Sequence, residues 1–119
     1  MKANWVSIGA MLGALAVITG AFGAHGLKER LSPEALDLWH TAVTYHILHA
    51  IALVLYGTYD REGRGRNVGT SFVAGIVLFS GSIYALALGA PSWVGTITPF
   101  GGLFLIFGWL TFSWAARRR

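Results

Sequence analysis

Four long apolar stretches, separated by short polar ones, restrict this chain to helices that cross a bilayer. A hydrocarbon core about 30 Å thick needs about 20 apolar residues per helical crossing, and a helix satisfies its own backbone hydrogen bonds there. The stretches predict transmembrane helices at approximately residues 4–24, 33–57, 68–90 and 99–115. We therefore predict an all-α, integral membrane four-helix bundle that forms a single domain over residues 1–119.

The composition favours a membrane protein over the other classes. The chain is 55% hydrophobic and 12% charged, whereas soluble domains are about 25% charged. It has no cysteine, which excludes disulfides, thiolate metal sites and cysteine nucleophiles. The pI near 10 arises from short basic runs beside apolar segments, so we expect the lipid bilayer, and no nucleic acid, as a partner.

Lysine and arginine residues divide unequally between the two sides of the predicted bundle. Two, Lys28 and Arg30, fall on one side, and seven fall on the other: Lys2, Arg61, Arg64, Arg66, Arg117, Arg118 and Arg119. The positive-inside rule then predicts a multi-pass protein of the bacterial inner (plasma) membrane with both termini cytoplasmic. The first stretch is longer than the 7 to 15 apolar residues of a secretory signal, so we expect it to remain in the mature protein.

Tryptophan rings prefer the boundaries of the bilayer. We expect Trp39 and Trp93 to mark the outer boundary and Trp5 and Trp114 the inner one, whereas Trp109 lies deeper and is packed.

The first loop carries a helix start of its own. Ser32, Pro33 and Glu34 supply a capping oxygen, a first-turn proline and an acid at the positive end of the helix dipole. Leucines and alanines on one side of the following residues predict a short outer amphipathic helix between helices 1 and 2, resting on the membrane surface. A solvated helical extension is the alternative.

Small residues recur at helical spacing. Gly9 and Gly13 form a GxxxG pair on the first helix, which indicates close packing of the bundle, with homo-oligomer contacts or a pocket wall as alternatives. Thr98 and Pro99 predict the start of the fourth helix, and Gly101 and Gly102 follow directly. Those two glycines either pack closely or leave bare amides for an anion.

Three histidines of the second helix are the main candidates for function, because ionisable side chains at membrane depth are costly. On a helix His46 and His49 share a face, and His40 points away from both. Counting about 1.5 Å per residue from Trp39 places His46 about 10 Å deep and His49 about 15 Å deep.

The third helix offers hydroxyl groups at matching depths. We expect Tyr84 to bond His46, one of the two serines to bond His49, and Thr19 to approach the same layer. The candidate polar cluster is His46, His49, Ser80, Ser82 and Tyr84.

This cluster has two main interpretations. It is either a set of interhelical hydrogen bonds that fix the bundle or a pocket for a lipid, a quinone or a haem. The sequence predicts no cofactor and no metal, because zinc needs three or four ligands and haem needs an axial ligand, often two from facing helices. It contains no recognisable catalytic residues, since no carboxylate lies at this depth to orient a histidine base.

Four ordered motifs resemble those of the YgdD-like family of small bacterial membrane proteins, classed as domain of unknown function 423, which also has a mitochondrial relative. The motifs are GAFGAHGL from Gly20, TAVTYHILHA from Thr41, FSGSIYAL from Phe79 and TPFGG from Thr98, followed by Phe107-Gly-Trp109. Within them, the family-motif residues of interest are Gly23, His25, Gly26, Thr98, Pro99, Gly101 and Gly102. The resemblance implies a four-helix inner-membrane protein and no established activity.

The sequence thus favours a non-enzymatic accessory or assembly partner of a larger membrane complex, or a homo-oligomer. The alternative function is binding of a lipid, quinone or haem in the outer half of the bundle, around His46, His49 and Tyr84.

Overall fold

The computed structural model describes residues 3–61 and 66–117, with Arg66 described by its backbone alone. All regular elements in these residues are helical. They are α1 (Trp5–His25), α2 (Pro33–Tyr59), α3 (Arg66–Gly75), a π-helical turn (Ile76–Ser80), α4 (Gly81–Ala87), a 3-10 turn (Ser92–Thr96) and α5 (Thr98–Arg117). α3, the π-helical turn and α4 follow one another directly and form the third span.

Four helices are long and apolar enough to cross a membrane: Trp5–His25, Pro33–Tyr59, Asn67–Ala87 and Ser92–Arg117. This confirms the all-α architecture with four membrane-spanning helices.

The outer loop does not form a separate amphipathic helix in the described residues. Ser32 Oγ accepts a hydrogen bond from Ala35 N at 3.1 Å and caps α2, which then runs unbroken to Tyr59. The helix continues because residues 34–56 contain neither glycine nor proline. Leu31 and Leu36 pack on the bundle beside Trp39. The apolar side of this segment therefore contacts the protein.

Glycines allow the helix backbones to approach closely where lipid supplies no hydrophobic drive for association. A Cβ at Gly9 of α1 would lie 2.9 Å from Ala50 O of α2, and one at Gly57 would lie 2.6 Å from Val6 N. α1 and α2 therefore pack antiparallel at backbone contact. Gly13 is different, since a Cβ there would meet nothing within 4 Å.

Two of the four tryptophans expected at the membrane boundaries have rings that are buried in the bundle. Trp39 is 4% exposed, and its ring fills the space beside Gly23 of α1. Trp5 is 7% exposed and fits against Gly69 of α3 in the same way. The facing glycines explain this burial, because each leaves room for an indole between the helices.

The π-helical turn lies where the third span meets the beginning of α5. A Cβ at Gly101 would clash with the backbone N of Phe79 and lie 2.6 Å from Leu78 C. Gly101 is buried, whereas a Cβ at Gly102 would make an ordinary contact, 3.6 Å from the Phe79 ring. The glycine pair therefore contains one residue that the packing requires and one that it does not.

We predict that Gly101→Ala lowers the free energy of unfolding by about 1 to 3 kcal/mol, because the new methyl meets backbone that cannot move aside alone. Gly102→Ala is the matched control and should leave stability unchanged or slightly higher, since alanine favours a helix. Unfolding in mixed micelles measures both. Equal stability of the two variants would contradict the close approach of α5.

Candidate functional site

Both ring nitrogens of His49 make hydrogen bonds. It is 6% exposed, and its Nδ1 lies 2.8 Å from Tyr45 O, one turn back on α2. Trp109 of α5 donates from Nε1 to His49 Nε2 at 3.0 Å. A carbonyl can only accept and an indole N–H can only donate. The hydrogen bonds therefore assign a neutral His49 that carries its proton on Nδ1.

His46 belongs to a chain of hydrogen bonds that joins three helices. Its Nδ1 lies 2.8 Å from the Tyr84 hydroxyl of α4, which lies 2.9 Å from Thr19 Oγ1 of α1. Thr19 Oγ1 also donates to Ala16 O at 3.1 Å. Trp39 Nε1 closes the outer end by donating to Thr19 O at 2.8 Å.

Two directions of this hydrogen-bonded chain satisfy its members. If Thr19 gives its hydrogen to the Ala16 carbonyl alone, Tyr84 donates to Thr19 and His46 carries its proton on Nδ1. If Thr19 shares its hydrogen between Ala16 O and the Tyr84 oxygen, Tyr84 donates to His46 Nδ1 and the His46 proton lies on Nε2.

The other nitrogen of His46, Nε2, is buried and makes no hydrogen bond of ordinary length. The Leu12 backbone of α1 lies beside the 5%-exposed imidazole as a hydrogen-bond acceptor. A carbonyl accepts and cannot donate, so it favours the arrangement in which the His46 proton lies on Nε2.

The two serines do not bond His49, contrary to the sequence-based expectation. Ser80 Oγ donates to Ala42 O of α2 at 2.8 Å, and Ser82 Oγ lies 2.6 Å from Thr98 Oγ1 of α5. Ser80 ends the π-helical turn and Ser82 follows it, so depth alone did not predict the direction of their side chains. The expected bond between His46 and Tyr84 and the approach of Thr19 are both present.

The predicted cluster is therefore three separate contacts and not one pocket. His46 and Tyr84 join α2 to α4 and α1, His49 joins α2 to α5, and the serines tie the third span to α2 and α5. Among residues 3–61 and 66–117, no group of three or more histidine, cysteine or acidic residues is placed to hold a metal ion. His49 has no nitrogen left for a ligand.

Sequence reasoning missed the partner of His49. Trp109 stacks edge-on to the His49 ring, with centroids 5.9 Å apart, and also packs on Phe72. Trp109 is 45% exposed, so it is packed on one side only, contrary to the expectation of a packed ring. Its depth on the fourth helix was still a usable signal, since an indole N–H away from water usually finds an acceptor.

The family-motif residues surround these contacts. Gly23 faces the Trp39 ring, and Gly26 N caps α1 by donating to Phe22 O at 2.7 Å. His25 and Pro99 are exposed, as is His40. The motifs thus mark helix ends and helix contacts more than an open site.

Residues 19–102 match the family model DUF423, described as a protein of unknown function. The chain is 40% identical to the UPF0382 membrane protein YwdK of Bacillus subtilis over 116 residues, 94% of each protein. It is 42% identical to a UPF0382 membrane protein of Staphylococcus aureus over 89% of this chain and 88% of that protein. A UPF0382 membrane protein of Schizosaccharomyces pombe is 37% identical over 88% of this chain and 94% of its own length. No solved structure matches the chain.

We predict that Tyr84→Phe lowers the free energy of unfolding by about 1 to 2 kcal/mol, because it removes two interhelical hydrogen bonds that average about 0.6 kcal/mol each in membranes and reach about 1.7. Tyr45→Phe removes the same hydroxyl from a ring that is 42% exposed and serves as the control. If both variants lowered the free energy of unfolding in mixed micelles by the same amount, the result would argue against the chain of hydrogen bonds through Tyr84.

Trp109→Phe removes the donor to His49 together with part of the ring that packs on Phe72 and Phe112. We expect a loss of at least about 0.6 kcal/mol in the free energy of unfolding, the average for an interhelical hydrogen bond in a membrane. Trp93→Phe, on a ring that is 64% exposed, controls for the change of residue type. If Trp109→Phe left the free energy of unfolding unchanged, the contact with His49 would add no stability.

Proposed function

Because the chain belongs to the DUF423 family of proteins of unknown function, we propose, from its contacts alone, that it is a non-enzymatic accessory protein of the bacterial inner membrane. In this proposal the bundle is a scaffold whose outer helix faces bind a larger membrane complex. Its buried polar groups hold the helices in register, and no cofactor takes part.

The use of the buried hydroxyls and imidazoles supports this proposal. Both nitrogens of His49 and the hydroxyls of Tyr84, Ser80 and Ser82 are engaged with neighbouring helices or their backbone. The acidic residues in the described part of the chain, Glu29, Glu34, Asp37 and Asp60, lie outside the helix centres, so none is near enough to orient His46 as a base.

The uneven burial of the helices is the observation that carries the proposal. Only 17% of the apolar window of α1 and 22% of that of the fourth span are buried, against 39% and 44% for the other two. α1 packs chiefly on α2, while α5 packs on α3 and the π-helical turn. Two helices at opposite ends of the arrangement thus keep broad outer faces.

The outer face of α5 is rich in aromatic side chains, which suit a protein partner because they offer large contact areas at low entropic cost. Phe100 is 61% exposed, Phe107 49% and Trp114 59%. The outer face of α1 is chiefly aliphatic, with Val17 at 67% and Ile18 at 62%, although Phe22 near its end is 53% exposed. We therefore propose α5 as the face that binds the partner complex.

Photo-cross-linking from single positions in the native membrane tests this assignment. A cross-linker at Leu110 on α5, 64% exposed, should capture one defined protein at fixed stoichiometry. The same cross-linker at Val17 on α1, equally exposed, is the matched control and should capture chiefly lipid. Lipid alone at both positions, or cross-links only between copies of this chain, would contradict an accessory role.

The orientation is a further part of the proposal and is readily tested, because the chain has no cysteine. A membrane-impermeant maleimide should label Lys28→Cys in the outer loop of intact cells. It should label Arg61→Cys, just after α2, only once the cells are opened. The reverse pattern would place the termini outside.

A further inference from the structure

A polar pocket lies at the end of the bundle where α1 begins and α2 ends. It has a volume of about 450 Å³, within the range of about 300 to 1,000 Å³ that is typical of ligand sites. Its walls include Asn4, Val6, Gly57, Thr58, Asp60 and Arg61. Asn4, Thr58 and Arg61 are exposed, so the pocket is open to molecules at the membrane surface.

An apolar groove of about 240 Å³ follows this pocket along the seam between α1 and α2. On α1, the pocket residue Val6 and the groove residues Ala10 and Gly13 share one helix face, because they are four and seven residues apart. On α2, Thr58 of the pocket and Ile51 of the groove share a face in the same way. Ile51 is 51% exposed, and a Cβ at Gly13 would meet nothing within 4 Å, so the groove is open to a lipid chain along its side.

The pocket places opposite charges side by side. Among the described residues its charged side chains are Asp60 and Arg61, whose charges cancel. Because α1 begins here and α2 ends here, the positive end of one helix dipole also lies beside the negative end of the other. A ligand that carries both a negative and a positive group matches this pattern better than a purely anionic ligand.

A donor and an acceptor in the pocket are held in place by the helix ends. Asn4 Oδ1 caps α1 by accepting from Ser7 N at 3.0 Å, which leaves the Nδ2 hydrogens of Asn4 as donors. Asp60 Oδ2 accepts from the Tyr56 hydroxyl at 2.9 Å, which fixes the carboxylate at the end of α2. Since a carboxylate offers about four acceptor positions, Asp60 can accept from an ammonium group as well.

We propose that the pocket and the groove together bind one phospholipid with a primary ammonium head group, such as phosphatidylethanolamine. Its phosphate lies against Arg61 and Asn4 Nδ2, its ammonium donates to Asp60, and one acyl chain lies along the groove. A choline head group has no N–H to donate, and a glycerol head group has no positive charge. From Val6 to Gly13 the helix rises about 10 Å, which fits within one leaflet of a hydrocarbon core about 30 Å thick.

Native mass spectrometry of the intact, delipidated protein in detergent tests the proposal. We expect each chain to bind one molecule of dioleoyl phosphatidylethanolamine saturably. Dioleoyl phosphatidylcholine and dioleoyl phosphatidylglycerol should each bind about tenfold more weakly, the effect of losing one charge-assisted hydrogen bond. Equal binding of the three lipids, tighter binding of the phosphatidylglycerol, or no saturable binding would overturn the proposal.

Two variants with matched controls test the two parts of the site. Arg61→Gln removes the positive charge beside the phosphate and should weaken binding of the phosphatidylethanolamine about tenfold. Arg117→Gln removes the same charge at the same end of the bundle, outside the pocket lining, and should leave binding unchanged. Gly13→Leu fills the groove and should also weaken binding, whereas Gly81→Leu should not, because Gly81 has equal space around its Cβ and does not line the groove.

Unchanged binding in Arg61→Gln or in Gly13→Leu would contradict the site, and so would an equal loss in the matched control. None of these outcomes bears on the partner-binding face proposed for α5.

Discussion

Helices in a bilayer gain nothing by burying apolar surface against one another, because lipid tails are equally apolar. Close backbone contact and interhelical hydrogen bonds must hold the bundle, and both are concentrated at a few residues. Gly9 and Gly101 bring backbones together, while the chain from His46 through Tyr84 to Thr19 ties α2, α4 and α1 at one depth. The rest of the architecture depends on this layer, since it sets the register of three helices.

The four spans were predictable because a bilayer imposes length and hydropathy on each crossing. The pairing of His46 with Tyr84 was also predictable, since the two residues lie at equal depth on adjacent helices. The partners of Ser80 and Ser82 were not. Ser80 ends the π-helical turn Ile76–Ser80 and Ser82 follows it, and the wider turn redirects side chains in a way that no local sequence pattern indicates. The burial of the Trp39 and Trp5 rings was not predictable either, because the glycines that receive them lie on other helices.

The two buried histidines join α2 to different neighbours. His49 donates from Nδ1 to Tyr45 O and accepts from Trp109 on Nε2, so it is a structural link between α2 and α5. His46 bonds the Tyr84 hydroxyl through Nδ1, and the Leu12 backbone of α1 lies beside its ring. Both imidazoles therefore connect helices of the bundle.

The link between α2 and α5 requires a neutral His49 with its proton on Nδ1, because Nδ1 faces a carbonyl and Nε2 faces an indole N–H. Nitrogen NMR of the protein in bilayers at neutral pH reads the position of that proton directly. We predict that His49 shows a protonated Nδ1 and a bare Nε2, with a coupling across the hydrogen bond between His49 Nε2 and Trp109 Nε1. A protonated Nε2 on His49, or a charged ring, would contradict the link.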